Sequence, residues 1–410
     1  MLQGLYNGLS GLKTAQLTLD VTSDNIANAD TEGYNKRVFS SDSNPSIIRN
    51  YNTLGTGVTD QPIVRSHDEM VFSKLKLSLS QLSSDKVIKN GLSDLNEAFT
   101  KEVEAENSLS SLQDDFFYTL ELISQDPENE NLHTEFKSKL QSFFDRKDKL
   151  DTDLNNNIDV IDIRIENARK ESSLKLKEFD ELSKSIAEYE SANSSNIKNR
   201  YLNDLRDKRD LVEEKLSSLG SFRVQKTKDG SGTYNISDDS NLIYSRDFNE
   251  TSGEINGLNQ LRDSLVTLKD SFSENFDSFS SNLNNSYKSV DINSDLFENG
   301  KVTNDSLNFS SSSNEVNNNI ALDMLNFRTD DSGFKDLVSS LENKYKSSNT
   351  QHMYSESLFK TYEDNMNSIS KVNIDEEMTN LIKYQRAYEA NAVVIRTMDE
   401  ILKTTINLKT

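Results

Sequence analysis

Apolar residues recur every third or fourth position at both ends of this chain, a spacing that predicts helices with one greasy face. At the N-terminus Leu2, Leu5, Leu9, Leu12, Leu19 and Ile26 fall at a and d positions of a heptad, with Gln16 and Ser23 as polar interruptions. At the C-terminus Ile374, Met378, Leu381, Tyr388, Ala392, Ile395, Leu402 and Ile406 do the same, interrupted by Gln385 and Asp399. Between them, Leu154, Ile158, Ile161, Ile165, Ala168, Phe179, Leu182, Ile186 and Tyr189 hold one register, and Leu202, Leu205, Val212, Leu216 and Leu219 form another stripe. The pattern predicts helical bundle or coiled-coil packing.

Proline and glycine punctuate these stripes. The prolines are Pro45, Pro62 and Pro127, no glycine falls between Gly91 and Gly220, and none follows Gly333. Long helices need that absence, because an interior Gly costs about 1 kcal/mol and Pro about 3. The expected elements are a helix over 2–29, an extended segment over 30–62 turning at Gly33, Gly55 and Gly57, and long helices over 66–219 broken near Gly91 and Asp126-Pro127. Short alternating runs at Phe222–Val224 and Tyr234–Ile236 flank Asp229-Gly230-Ser231-Gly232, a hairpin signal to which Leu242–Tyr244 adds a third strand. Helices follow over 258–290 and 334–408, separated by a Ser/Asn-rich stretch.

The expected fold is therefore mainly α, a long helical bundle and coiled coil formed by the N- and C-terminal regions, with a small β element in the middle. Residues 1–62 with 370–410 would form an inner coiled-coil core. Residues 63–220 with 258–290 and 320–369 would form a helical bundle, 221–257 the β element, and 291–319 a Ser/Asn-rich loop.

A magnitude bears on the termini. Burying one such side chain stabilises by about 1.5–3 kcal/mol, so six to eight give roughly 10–20 kcal/mol. Fixing about thirty residues costs about 1–2 kcal/mol each. A lone terminal helix is marginal and needs a partner, either the other terminus or a neighbouring copy. Periodicity does not separate an ordinary closed bundle from a polymerising interface.

Composition narrows the partners. The 410 residues carry 68 acids against 46 bases, for a net charge of −22. That charge argues against nucleic acid, whose phosphates need a basic stripe, and against docking to an anionic membrane. There is no cysteine, so disulfides and thiol chemistry are excluded. No apolar run approaches the roughly 20 residues of a membrane span. The N-terminal leucines are spaced and follow no positive region, so export, if it occurs, is expected without a cleaved signal peptide.

The run Thr22-Ser23-Asp24-Asn25-Ile26-Ala27-Asn28-Ala29-Asp30-Thr31-Glu32-Gly33-Tyr34-Asn35-Lys36-Arg37 resembles the signature of the bacterial flagellar axial proteins, the family of rod, hook and hook-associated subunits. Physically its Asn/Asp/Thr cluster can end a helix and cap a turn, and Gly33 permits a positive φ. The runs Val372–Met378 and Tyr384–Ala392 resemble the same family's terminal helix. In the middle, Asn203–Val212, Leu216–Leu219, Asp229–Ile236 and Gly257–Leu265 resemble the hook-associated branch found at the hook–filament junction. The family's glycine-rich loop survives only in traces over Tyr287–Phe297, and an outer β domain is expected to be reduced or absent.

The resemblance implies a structural role with no catalytic, cofactor or metal residue. The two terminal stripes, Leu2 to Ile26 and Ile374 to Ile406, would be the assembly interface, pairing into a core that lines a tubular channel. The implied partners are a ring of further copies, the hook protein, a second hook–filament junction protein and an export chaperone on the C-terminal helix. The implied location is extracellular, reached through the flagellar type III apparatus. A hook or rod subunit of the same family, or a cytosolic coiled-coil scaffold, are the alternatives.

Residues that could carry other chemistry read as structural. His67, His133 and His352 are far apart in sequence, and His67-Asp68-Glu69 reads as a helix start. Asp151, Asp153, Asn155, Asn157, Asp159 and Asp162 mimic the spacing of a calcium loop, but Asn156 replaces the needed glycine and Asp162 the bidentate glutamate. Gly55-Thr56-Gly57 reads as a turn, and Phe116-Phe117 and Phe143-Phe144 as core.

Overall fold

The computed structural model describes residues 2–45, 47–49, 52–54, 56–192, 200–225, 245–288, 296–298, 301–302, 319–328 and 333–407. In chain order, helix α1 (Leu2–Ala27) is followed by strands β1 (Arg37–Val38), β2 (Ser41–Ser43), β3 (Ile47–Arg49), β4 (Asn52–Leu54), β5 (Val58–Asp60) and β6 (Val64–Arg65). Four helices follow, α2 (Glu69–Glu104), α3 (Leu109–Gln125), α4 (Glu130–Ala192) and α5 (Arg200–Leu219), then β7 (Ser221–Gln225) and β8 (Ser245–Asn249). Helix α6 (Gly253–Lys288), β9 (Phe297–Glu298), β10 (Lys301–Val302), α7 (Asn319–Leu325), α8 (Phe334–Ser370) and α9 (Ile374–Asn407) complete the described chain. The fold is mainly α, as the periodicity predicts, with small antiparallel strand pairs. These elements group into two compact units, Met1–Ser80 with Glu171–Thr251 and Ser357–Thr410, and Gln81–Lys170 with Ser252–Glu356.

In the first unit the segment after α1 is one interrupted hairpin. Its pairs nest: Arg37 opposite Arg65, Ser41 opposite Asp60, and Ile47 opposite Leu54. Gly33 and Gly57 carry the positive φ that their turns require, +74° and +88°. Asp68 caps α2, its Oδ1 accepting from the backbone N–H groups of Met70 and Val71, so the polar trio at 67–69 is a helix start. Three small apolar clusters stand out among the described residues. Phe179, Val212, Leu216 and Phe222 form one; Ile186, Leu202 and Leu205 another; Phe72, Leu75 and Met366 the third.

The second unit is held by phenylalanines. Phe143 stacks on Phe276 with ring centroids 5.4 Å apart, and Phe116 sits 4.4 Å from Phe117 and 5.2 Å from Phe143. Phe99 stacks on Phe334 at 5.9 Å. All of these rings are buried, so both phenylalanine pairs are core, with Phe144 the most exposed of the four at only 4%.

Three expectations change in detail. Gly91 does not break its helix: α2 runs through it, and the glycine serves packing, since a Cβ there would come within 2.1 Å of Leu261. The break falls instead at 105–108, where Asn107 adopts a φ of 59° and the Ser108 hydroxyl caps α3 by accepting from the Ser111 N–H. The strand at 222–224 pairs with 245–249, Phe222 opposite Phe248; residues 229–236 and 242–244 lie outside the described residues, as does most of 291–319. The C-terminal helical stretch divides at 371–373, where the Asn373 side chain accepts from the N–H groups of Asp375 and Glu376 and starts α9. The calcium-like run lies within the continuous helix α4, with Asp151 paired to Lys147 and Asp162 to Arg262.

Candidate assembly interface

Helix α1 lies along α9, and glycine sets how close they come. A methyl group added to Gly4 would stand 2.7 Å from Met398 Cε, one on Gly8 3.0 Å from Ile395 Cγ1, and one on Gly11 2.7 Å from the Asn391 side chain. Gly4, Gly8, Gly11 and buried Ala15 thus form a smooth ridge against α9. Their spacing of four, three and four residues is helical and present in the sequence, but small residues carry no hydrophobic signal beside the leucines.

The predicted stripes sit beside this ridge. Leu2 lies in α1; Leu5, Leu12, Leu19 and Ile26 are half-buried, and Leu9 is exposed. On α9, Leu381, Ala392, Ile395 and Leu402 are half-buried, while Ile374, Met378, Tyr388 and Ile406 are exposed. The sequence reading missed a second apolar set on α9: Ile382, Val393, Val394 and Ile401 are also exposed, Ile382 and Val393 by more than half. At about 100° per residue, Met378, Ile382 and Val393 cluster within about 60°, roughly opposite Asn391, Ile395 and Met398. Helix α9 is therefore apolar on more than the face α1 covers, and a helix of that kind belongs inside a larger packing.

The base of the helix pair is fixed by a buried polar cluster. Asn25, at the end of α1, accepts from the Arg37 N–H at 2.8 Å, donates to the Arg37 carbonyl at 3.0 Å and to Glu377 Oε2 at 3.1 Å. The Tyr34 hydroxyl donates to Asn25 Oδ1 at 2.9 Å. Lys36 reaches Glu377 at 3.0 Å and Glu376 at 3.1 Å, and its N–H donates to the Ser370 carbonyl at 2.7 Å. Helix α5 supplies the anions: Arg37 contacts Asp204 at 2.9 Å and Asp207 at 2.6 Å, and Arg65 contacts Asp207 at 2.9 Å and Asp210 at 2.6 Å. The N-terminal motif, the Asn203–Asp210 run and the start of α9 were separate signals in the sequence; here they meet.

Burial shapes the charges. Burial works to lower the Lys36 pKa, but its hydrogen bonds to Glu377 and Glu376 outweigh that and raise it. Burial pushes the Tyr34 phenol up to about 12 against the pull of Arg37. Burial, with Arg65 alongside, pushes the His67 imidazole down to about 4. Burial, with Asp210 alongside, pushes the Glu214 carboxyl up to about 7. Among the described residues no group of three or more His, Asp or Glu could hold a metal ion, and no helix is long and apolar enough to cross a membrane.

Comparison with known proteins matches these same regions. The family described as flagella basal body rod protein matches residues 5–35. The flagellar hook-associated protein FlgK helical domain matches 92–252. The flagellar basal body rod FlgEFG protein C-terminal family matches 363–408. Flagellar hook-associated protein 1 of Bacillus subtilis (strain 168) is 24% identical over 234 residues, covering 55% of this chain and 45% of that protein. The flagellar hook junction protein FlgK from Burkholderia pseudomallei, a solved structure, aligns with a TM-score of 0.41 and 13% identity over 52% of this chain and 43% of that one. The chain spans less than half the length of either relative. Asn25, Asp207 and Glu377 of the polar cluster come one from each of the three matched segments.

Proposed function

We propose that this chain, similar to flagellar hook-associated protein 1 and matching its helical domain over residues 92–252, is a structural subunit of the bacterial flagellum that polymerises through its terminal helices and joins the hook to the filament. One observation carries the reading beyond family likeness: α9 is covered by α1 on one side and leaves Met378, Ile382 and Val393 bare on the other. Exposed apolar residues aligned along one helix mark an interaction site. In a ring of copies that face packs on the terminal helices of neighbours, and the fourteen stripe residues from Leu2 to Ile406 form the seam. The hook protein lies below the ring and a second junction protein above it. Before assembly the bare face of α9 is an aggregation hazard, which an export chaperone covers. The subunit works outside the cell, in a structural and not a catalytic role.

A hook or rod subunit is the second reading, favoured by the rod-family matches at both ends. The hook-associated helical domain between them favours the junction. Electron microscopy of an export-competent strain lacking this protein decides. The expected picture is hooks without filaments, with filament protein in the medium. Normal filaments would sink the proposal, and loss of the hook itself would favour the second reading.

A further inference from the structure

The first unit holds a cavity of about 580 Å³ that the assembly seam does not use. Its roof is the loop 29–35 of the N-terminal motif, and its walls come from the start of α2, from α5 and from α8. One wall is apolar: Phe72, Leu75, Phe359 and Met366. The rest of the lining is mixed, and its carboxylates include Glu214 and buried Asp210, with exposed Glu32 and Glu363 at the mouth.

The cations nearby are committed elsewhere. Arg65 serves Asp207 and Asp210, and Lys76 is paired with Glu213. Glu214 takes no hydrogen bond or salt bridge among the described residues. The His67 side chain lines the same cavity, only 9% exposed, and its Nδ1 has no hydrogen-bond partner; Asp210 Oδ2 is 3.6 Å away. Lys371, at the exposed mouth, is the lysine or arginine among the lining residues. An apolar wall facing unmatched carboxylates fits a long aliphatic stem that ends in a positive charge.

We propose that this cavity receives a lysine or arginine side chain from a second copy of this chain, its stem on Phe72, Phe359 and Met366 and its charge between Glu214 and Glu363. The inference rests on the assembly reading above. In a ring of copies the neighbouring chain is the source at hand, since each carries 46 lysines and arginines beside its 68 acids. Each chain carries −22, so copies repel unless bases of one meet acids of the next. An unmatched carboxylate in a half-buried site is a fault in the monomer and an asset in the ring. That gives the assignment a signature that ordinary structural carboxylates lack: removing the charge should help the monomer and harm the assembly.

The test uses the full-length chain, Glu214→Gln and Glu214→Lys, each melted alone at pH 8 and each added to isolated hooks that lack this protein, with bound chain measured by pelleting. Glu214→Gln should melt at or above the wild-type temperature yet bind hooks at least fivefold more weakly. Glu214→Lys should fold and bind more weakly still, its own cation occupying the cavity. Undiminished binding overturns the inference, as does binding that falls only in step with stability. A rise in melting temperature with millimolar agmatine, without competition against hook binding, would assign the cavity to a free small cation and also overturn it. If the wild-type chain itself fails to bind hooks, the assembly reading fails, which is a different result.

Discussion

At single positions, backbone conformation and burial set consequences of opposite sign. Gly33 holds a φ of +74°, and a methyl group there would meet Leu211 Cγ at 2.5 Å. Gly33→Ala should therefore destabilise by about 1–3 kcal/mol, from left-handed strain and crowding together. The two causes separate: adding Leu211→Ala relieves the crowding and leaves the strain, so urea unfolding of the double variant should recover part of the loss. His67 and Glu214 act through pH. The folded His67 pKa, near 4, lies below its ordinary value, so its stabilising contribution is complete above pH 6.5 and is lost as pH falls toward 4. The folded Glu214 pKa, near 7, lies above its ordinary value, so its penalty is complete above pH 7 and is relieved as pH falls toward 4.5. The two slopes oppose each other across the same window. The wild type should show a shallow acid profile, His67→Asn should gain about 2 kcal/mol relative to wild type on going from pH 7 to 4.5, and Glu214→Gln should steepen the acid loss. Thermal melts at pH 4.5, 6 and 8 check this; parallel profiles for all three proteins would refute the assignment.

Helices meet where side chains allow, and in the second unit α6 crosses α2 through glycines. A methyl group on Gly257 would stand 2.6 Å from the Ser84 carbonyl oxygen, and one on Gly91 2.1 Å from Leu261 Cδ2. Helix propensity alone says that alanine at either site gains about 1 kcal/mol. Overpacking costs about 1–3 kcal/mol, so both substitutions should be net destabilising. Gly257→Ala should be the worse, because a backbone atom cannot move aside as the Leu261 side chain can. Denaturant midpoints of the two variants would show the order, and a stabilised Gly91→Ala would mean the crossing is looser than described. The same pair shows what a sequence withholds. Gly91 reads locally as a helix breaker, and its real cause, Leu261, is far away in the chain. The stripes of α1, α4, α5 and α9 were legible because a heptad is a local pattern. The Gly4–Gly8–Gly11 ridge has helical spacing but no hydrophobic signal, since it is made of absent side chains. The polar cluster was legible in parts only: Asn25, Asp207 and Glu377 stand in three separate motifs, but their meeting depends on how distant helices pack.

For the molecule as a whole, the question is which apolar surface belongs to the monomer and which to the assembly, and α9 offers both on one helix. Ile395 is half-buried and touches the position of Gly8, so it serves the pairing with α1. Ile382 and Val393 are 53% and 54% exposed and serve nothing in the single chain. Ile395→Asp puts a charge against the α1 ridge. Hydrogen exchange should quicken throughout α1 and α9, and assembly should fail because the seam no longer forms. Ile382→Asp with Val393→Asp changes only solvent-facing positions, where substitutions stay within about 0.5 kcal/mol. The melting temperature and exchange pattern should match the wild type while hook binding disappears. In the wild type itself, amides of α1 and α9 should exchange faster than those of α3, whose Phe116, Phe117 and Leu120 are buried, since a helix pair with one covered side lies at the low end of local stability. Full hook binding by the Ile382/Val393 variant would show that the outer face of α9 is merely surface. Loss of binding in both variants, with loosening in Ile395→Asp alone, is the outcome expected if one side of the helix holds the chain together and the other holds the ring.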